Sequence, residues 1–347
     1  MASHSKPSGS DTDSPSLADY GTRQRRRRRT VTFGIASSMA LALAGRTAVA
    51  QDTKSRATQI IVPFAPGGSG DITARLVGQY LADKTGIAVA VENKPGANGI
   101  IGVEAARLAP ADGKTLLLAT TSTHAANPSL YKKLPYDPEK DFQTVGVFGS
   151  GGSYLLVNPQ APYQTLAEFI AHARSRPGQL NYGHFNASSQ VPGALLKSLG
   201  GIELVSVPYK TIGAAMNDLI AGILQVIFVD TAAGDTYVSS ARLRAIAVTR
   251  PKRWSRYPDL PALAEVWPEF SMTGFLGLAV PTGTPRATME ALNGHINDAI
   301  VSESIRGKLE AFGFSPIRMN LEECAQHIRS ERRKWGQYIT LAGIEAQ

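Results

Sequence analysis

The stretch VPFAPGGSGD, Val62 to Asp71, brings together residue types that can do chemistry. An apolar run, Ile60–Val62, enters a loop of proline and glycine, and an amphipathic run, Ile72–Leu81, leaves it. Backbone N–H groups and the positive end of a helix dipole converge at such a loop, which makes it an anion site. Three chemistries fit the position: phosphate binding, an activated serine, or capture of another kind of anion.

The phosphate loop fails on spacing. Gly-Lys-Thr occurs at Gly113–Thr115, but Leu108 stands where the motif needs glycine, and the tripeptide precedes a strand-like run instead of following one. It reads as a turn. The loop at 62–71 has no lysine, and Gly67, Gly68 and Gly70 do not give Gly-x-Gly-x-x-Gly. A nucleophile elbow fails as well. Ser69 has Asp71 where the second glycine belongs, and Ser150 has Phe148 where the first belongs. A secreted α/β hydrolase or transferase using Ser69 or Ser188 stays open as the alternative, without triad spacing to support it. His124, His172, His184, His295 and His327 are scattered, with no metal-ligand spacing. No metal and no cofactor is expected. His124 and His184 follow strand-like runs and are candidates to line a cleft.

What remains is a carboxylate-sized anion held by main-chain donors. Gly67 and Gly68 let the backbone approach closely. Ser69 either caps the helix or touches ligand. Asp71 is unfavourable beside a bare anion, so it reads as a first-turn dipole partner that orients the loop and points away. Other loops repeat this chemistry: Thr120–His124 after TLLLA, Asn186–Gln190 before VPGALLKSLG, and Val229–Thr231 after LQVIF. Hydroxyl and amide groups suit carboxylates and polar small molecules. Singly, each such loop reads as a turn or a helix cap. Four of them at strand ends shift the reading toward a pocket.

These loops must be positioned by alternating strands and helices. Strand-like runs are Gln59–Val62, Ile87–Val91, Lys114–Ala119, Tyr154–Val157, Leu204–Val207, Leu224–Val229 and Leu243–Val248. Between them, Ile72, Leu76, Val77, Tyr80 and Leu81 share a helical stripe that Gly86 ends, and Thr165 with Glu168 has capping-box spacing. PRATMEALNGHINDAIVSESIRGKLEAFG reads as two helices in series, and NLEECAQHIRSERRKWGQYITLAG as a last long one. The alternation implies parallel α/β sheets. Nearly 290 residues exceed one comfortable core, so two lobes are expected, joined by short crossovers near Ser153 and Ser271 that act as hinges. Ligands then sit in the cleft, at the carboxyl ends of strands.

The chain has 347 residues, 43% hydrophobic and 18% charged, with a formal charge of +8. That charge does not signal nucleic acid, because residues 1–50 hold 8 Lys/Arg against 3 Asp/Glu. The remainder, 28 against 25, carries only +3. The leader reads as an export signal over residues 1–50: Arg25–Arg29 as the basic region, TVTFGIASSMALALAG as the apolar region, and Ala48–Ala50 as the cleavage site before Gln51. The apolar stretch is shorter than the roughly 20 residues of a membrane helix. RRRTVTF is compatible with twin-arginine export, and the general secretory route stays open. Cys324 is alone, so no intrachain disulfide forms, and it reads as buried helix packing.

The stretches IIVPFAPGGSGD, VENKPGANG, ADGKTLLLATTSTHAANPSLYKKLPYDPEKDF, VPYK, RLRAIAVT and PTGTP, in this order, resemble the Bug-type extracytoplasmic solute receptors. These are the substrate-binding components of tripartite tricarboxylate transporters, and the likeness runs from about Thr58 to the C-terminus. It implies a two-lobed periplasmic-binding-protein, or Venus-flytrap, fold, each lobe a mainly parallel sheet flanked by helices. Residues 57–153 and 272–347 form lobe 1 in this reading, and 154–271 lobe 2. It also implies a periplasmic monomer that captures a small carboxylate without catalysis and delivers it to a membrane permease. A ligand sensor for a signalling partner is the other non-catalytic reading. By motif, the ligand residues are Phe64, Pro66, Gly67, Gly68, Ser69 and Asp71; Thr120, Thr121, Ser122 and Thr123; Asn186, Ala187, Ser188 and Ser189; Tyr209; and Asp230 and Thr231. Two departures fall in lobe 2, which reads the variable end of the ligand. The loop YGHFNASSQ is short, with Gln190 where histidine is usual, and Val229 replaces a common aspartate, with Asp230 following it.

Overall fold

The computed structural model describes residues 57–347. The export signal lies outside the described residues.

The chain opens with β1 (Thr58–Val62), the glycine turn, and α1 (Ser69–Thr85). Gly86 ends α1 in the left-handed conformation with its N–H on Ala82 O, the stop expected of a glycine there. β2 (Val89–Asn93), α2 (Ile100–Arg107) and β3 (Thr115–Thr120) follow, and Gly113 turns the chain into β3. A π-helical turn, Thr121–Ala126, continues into the short α3 (Asn127–Leu130). β4 (Phe142–Gly151) and β5 (Ser153–Val157) are separated by Gly152 alone. Then come α4 (Leu166–Arg174), β6 (Leu180–His184), α5 (Ala187–Gly200), β7 (Leu204–Pro208) and α6 (Ile212–Ile220). After these lie β8 (Val226–Asp230), α7 (Thr231–Ser239), β9 (Arg244–Val248) and β10 (Gly274–Pro281). Three helices finish the chain: α8 (Arg286–Val301), α9 (Glu303–Ala311) and α10 (Leu321–Leu341). The capping box at Thr165 and Glu168 is present, and the two helices in series and the last long helix all form.

The strands make two five-stranded sheets, ordered β2-β1-β3-β10-β4 and β7-β6-β8-β5-β9. In each, four strands run one way and one is reversed. β10 pairs antiparallel with β3 and β4; β5 pairs antiparallel with β8 and β9. Both reversed strands follow a passage of the chain from one sheet to the other. β4, β6 and β10 add three strands to the seven runs read from sequence. β4 and β10 each carry glycines that break the β-branched pattern, and the packing demands them: a Cβ on Gly277 would stand 2.4 Å from Gly146 O on the paired strand. β2 and β8 begin two residues later than their apolar runs.

The two passages are tied side by side. Thr249 N–H donates to Ser153 O (2.9 Å), Ser153 N–H to Thr249 Oγ1 (2.9 Å) and Met272 N–H to Thr249 O (2.8 Å), while Gly274 pairs with Gly151. α10 lies against both halves. Its Cys324, Ile328, Trp335 and Ile339 share one core with Val147 and Phe275 from the first sheet and Phe169 and Leu195 from the second half. Cys324 is wholly buried there, as its helix packing requires.

Candidate functional site

The carboxyl ends of β1, β3, β6 and β8 face a shared cavity of about 560 Å³ between the sheets. The glycine turn forms one wall. Gly67 has φ 87°, a conformation glycine adopts without strain. Its N–H donates to the Asp71 carboxylate at 3.1 Å, and Arg75 pairs with the same carboxylate at 2.9 Å. Arg75 also donates to Asn93 Oδ1 (3.0 Å), and Asn93 Nδ2 donates to Phe64 O (3.0 Å). Burial raises the Asp71 carboxyl, but Arg75, the Gly67 N–H and Asn93 together outweigh it and hold the pKa below the ordinary value. The charge of Asp71 is therefore consumed within the loop. The N-cap of α1 is Gly68, with no side-chain cap, so first-turn N–H groups remain for a guest. Gly68, Ser69 and Gly70 line the cavity.

Thr120 begins the second wall, with its Oγ1 accepting the Thr123 N–H. Thr121 Oγ1 accepts the Phe275 N–H at 2.7 Å and so is fixed to β10. Across the cavity, Asn186 caps α5, and Ser189 completes the box by accepting the Phe185 and Asn186 N–H groups. Ser122 and Ser188 face each other, their hydroxyls 3.4 Å apart. Tyr209 donates to Asp218 at 2.8 Å; burial and then that carboxylate push its hydroxyl up to about 12. Asp230 caps α7 by accepting the Ala233 N–H (2.9 Å), and it also takes the Ser69 hydroxyl. Burial raises its pKa, against the lowering effect of those bonds. Thr231 donates to Phe312 O at 2.7 Å.

Of the sequence-derived residues, Phe64, Gly68, Ser69, Asp71, Thr120, Thr121, Ser122, Asn186, Ser188, Tyr209, Asp230 and Thr231 line the cavity. Pro66, Gly67, Thr123, Ala187 and Ser189 do not; they shape the turn or hold the caps behind it. His124 and His184 do not line it either. His124 is wholly buried, its Nδ1 2.9 Å from Thr123 Oγ1, and burial pushes its pKa down to about 3.

Other lining residues were not read as ligand residues from sequence, among them the turn Pro95–Gly99, the two passages at Gly151–Ser153 and at Thr249 with Met272–Leu276, Lys210–Ile212, and the apolar Phe314 and Trp335. The Pro-Gly signal after β2 marked the first as a turn. The apolar residues carry no local signal, since tertiary packing alone brings them here.

Among the described residues no cluster of His, Cys, Asp or Glu suits a metal. The recorded partners of Ser69 and Ser188 are Asp230 and Ser122, and neither is a histidine base. Two like α/β sheets around a cavity rimmed with backbone donors and hydroxyls define a two-lobed solute-binding protein. The chain belongs to the tripartite tricarboxylate transporter family of receptors, whose model matches residues 73–344. Protein BugT of Bordetella pertussis is 32% identical over 311 residues, covering 88% of this chain and 95% of that one. Rpa4515 of R. palustris, solved with adipate, superposes with a TM-score of 0.81 at 29% identity, over 84% of this chain and 99% of that one. MatC of Rhodopseudomonas palustris, solved with bound malate, gives 0.77 at 28% identity, over 82% and 99%.

Proposed function

We propose that this protein is a periplasmic receptor that captures a small carboxylate in the cleft and delivers it to a membrane permease without altering it. One observation carries the reading: α1 begins with an uncapped glycine turn at the cavity wall, while Asp71 is turned back onto Gly67 and Arg75. The carboxylate meets main-chain N–H groups at the helix's positive end, with no opposing charge from the loop. Adipate and malate in the structures of relatives support the ligand class. The hydroxyls of the second half meet the other end of the ligand. Residues 57–153 with 272–347, and 154–271, act as two lobes that close about Gly152 and the strand-to-strand tie at Thr249. Ligand favours the closed form by its higher affinity for it. The leader directs export and is removed near Ala50, and the receptor works as a monomer.

A thermal-shift screen tests this, with adipate, malate, citrate, glutamate, nicotinate and terephthalate as probes. One or more of these acids is expected to raise the melting temperature in a concentration-dependent way. Purified protein that responds to none of them, but hydrolyses an ester or amide until Ser69→Ala removes the activity, contradicts the reading.

A further inference from the structure

We infer that Asn98 is the clasp that joins the two lobes in the closed state, a positioning residue whose carboxamide is aimed at the first turn of α5. Asn98 sits in the turn between β2 and α2 and lines the cavity. Its Oδ1 accepts the Ala187 N–H, across the cleft, at 3.0 Å. Ala187 is fully buried and is the first residue of α5, so its N–H has no acceptor within the helix. The acceptor comes from the other lobe.

The direction of the Asn98 amide is set from behind. Its Nδ2 donates to Asn127 Oδ1 at 2.7 Å, and Asn127 Nδ2 donates back to Asn98 O (3.1 Å) and to the Tyr136 hydroxyl (3.0 Å). Tyr136 donates in turn to Thr123 O at 2.7 Å. Asn127 and Thr123 are fully buried, and Thr123 belongs to the π-helical turn that lines the cavity beside it. The donors and acceptors therefore run in one sense from the ligand-facing turn to Asn98, and its Oδ1 is left facing lobe 2. A reversed amide would place two acceptors together at Asn127 and a donor against the Ala187 N–H.

The backbone is bent to make this possible. Gly96, Ala97, Asn98 and Gly99 have φ of 139°, 46°, 53° and 89° in succession, a run that costs energy at the two non-glycine positions. Asparagine tolerates the left-handed region better than most residues and brings the carboxamide with it. Opening the lobes breaks the bond to Ala187 but leaves the relay behind Asn98 intact. The bond to Ala187 thus weights the closed state alone, whereas the bond to Asn127 holds the turn in either state.

The test uses ligand-free full-length receptor, so its failure is separable from failure of the carboxylate reading on which the two lobes' motion rests. Lys84→Cys and Ser175→Cys place dyes at the end of α1 and just past α4, both away from the cleft. Cys324 is buried and stays unlabelled. Single-molecule energy transfer then gives the closed-to-open ratio. Asn98→Gly keeps the left-handed turn and removes the carboxamide, while Asn98→Ala removes it and adds backbone strain. Both are expected to lower the ratio about tenfold, the worth of one hydrogen bond. Amide exchange at Ala187 is expected to quicken by a similar factor. An Asn98→Gly protein with the wild-type ratio overturns the inference, as does a loss confined to Asn98→Ala, which would assign the effect to strain.

Discussion

Gly67 and Asp71 close the glycine turn on itself: the Gly67 N–H donates to the Asp71 carboxylate at 3.1 Å. An acidic residue beside the proposed anion site is thereby turned into a brace for the turn. The carboxylate that should repel the guest is held by Gly67 and Arg75, and the N-cap of α1, Gly68, has no side-chain cap.

Asp71→Asn removes the charge-assisted bonds and is expected to cost about 1 kcal/mol of stability at neutral pH, a modest figure because Arg75 is half exposed. The folded pKa of Asp71 lies below the ordinary 3.8. Its stabilisation is therefore complete above that value and is lost as pH falls through the depressed one. Urea unfolding across the acid range is expected to show a shallower loss in the Asn variant than in wild type.

His124 has the same sign in a higher window. Its pKa falls from 6.5 to about 3 on folding, because burial disfavours the charged ring. The unfolded chain takes the proton first, so stability drops as pH falls from 6.5 toward 3. His124→Leu is expected to flatten that slope between pH 6.5 and 4, measured by denaturant midpoints. An unchanged slope assigns the acid sensitivity to other groups.

Asp230 lines the cavity, and its carboxylate, when ionised, carries a charge like that of the proposed guest. Asp230→Asn retains an oxygen to cap α7 but removes that charge. Carboxylate affinity at neutral pH is expected to rise about threefold or more as a like charge is deleted. Because burial raises the Asp230 pKa, wild type takes up its proton early as pH falls and the difference narrows. Titrations at two pH values check both statements.

The three loop glycines are expected to separate by role. A Cβ on Gly70 would stand 2.7 Å from Leu118 Cδ2, whereas one on Gly68 meets nothing within 4 Å. Gly70→Ala is expected to lower the melting temperature, at about 1–2 kcal/mol of overpacking. Gly67→Ala destabilises through its φ of 87°, by about 1 kcal/mol or more. Gly68→Ala, at φ −81°, leaves the melt unchanged.

Much of the scaffold was legible because it rests on local rules. Gly86 as a helix stop, the Thr165–Glu168 box and the helix stripes after Arg286 depend on neighbours in sequence. β4 and β10 were hidden because their glycines answer to a partner strand more than a hundred residues away. At the site, the hydroxyl-rich loops were visible, but which hydroxyl faces the ligand was not. Ser188 and Ser189 look alike in sequence, yet Ser189 is spent on the α5 cap and only Ser188 reaches the cavity. Phe314 and Trp335 arrive through the packing of the C-terminal segment, and no short-range pattern reports that.

Calorimetric titration of wild type and Gly68→Val with adipate and malate tests the central claim most directly: main-chain donors of the α1 turn hold the ligand carboxylate. A Cβ at Gly68 meets nothing within 4 Å, so the fold is expected to stay intact while the valine branches occupy the proposed anion position. The expected result is one-to-one binding of at least one acid by wild type and no heat of binding with Gly68→Val, at equal melting temperature. Equal affinity in the two proteins would contradict the claim and place the carboxylate elsewhere in the cleft.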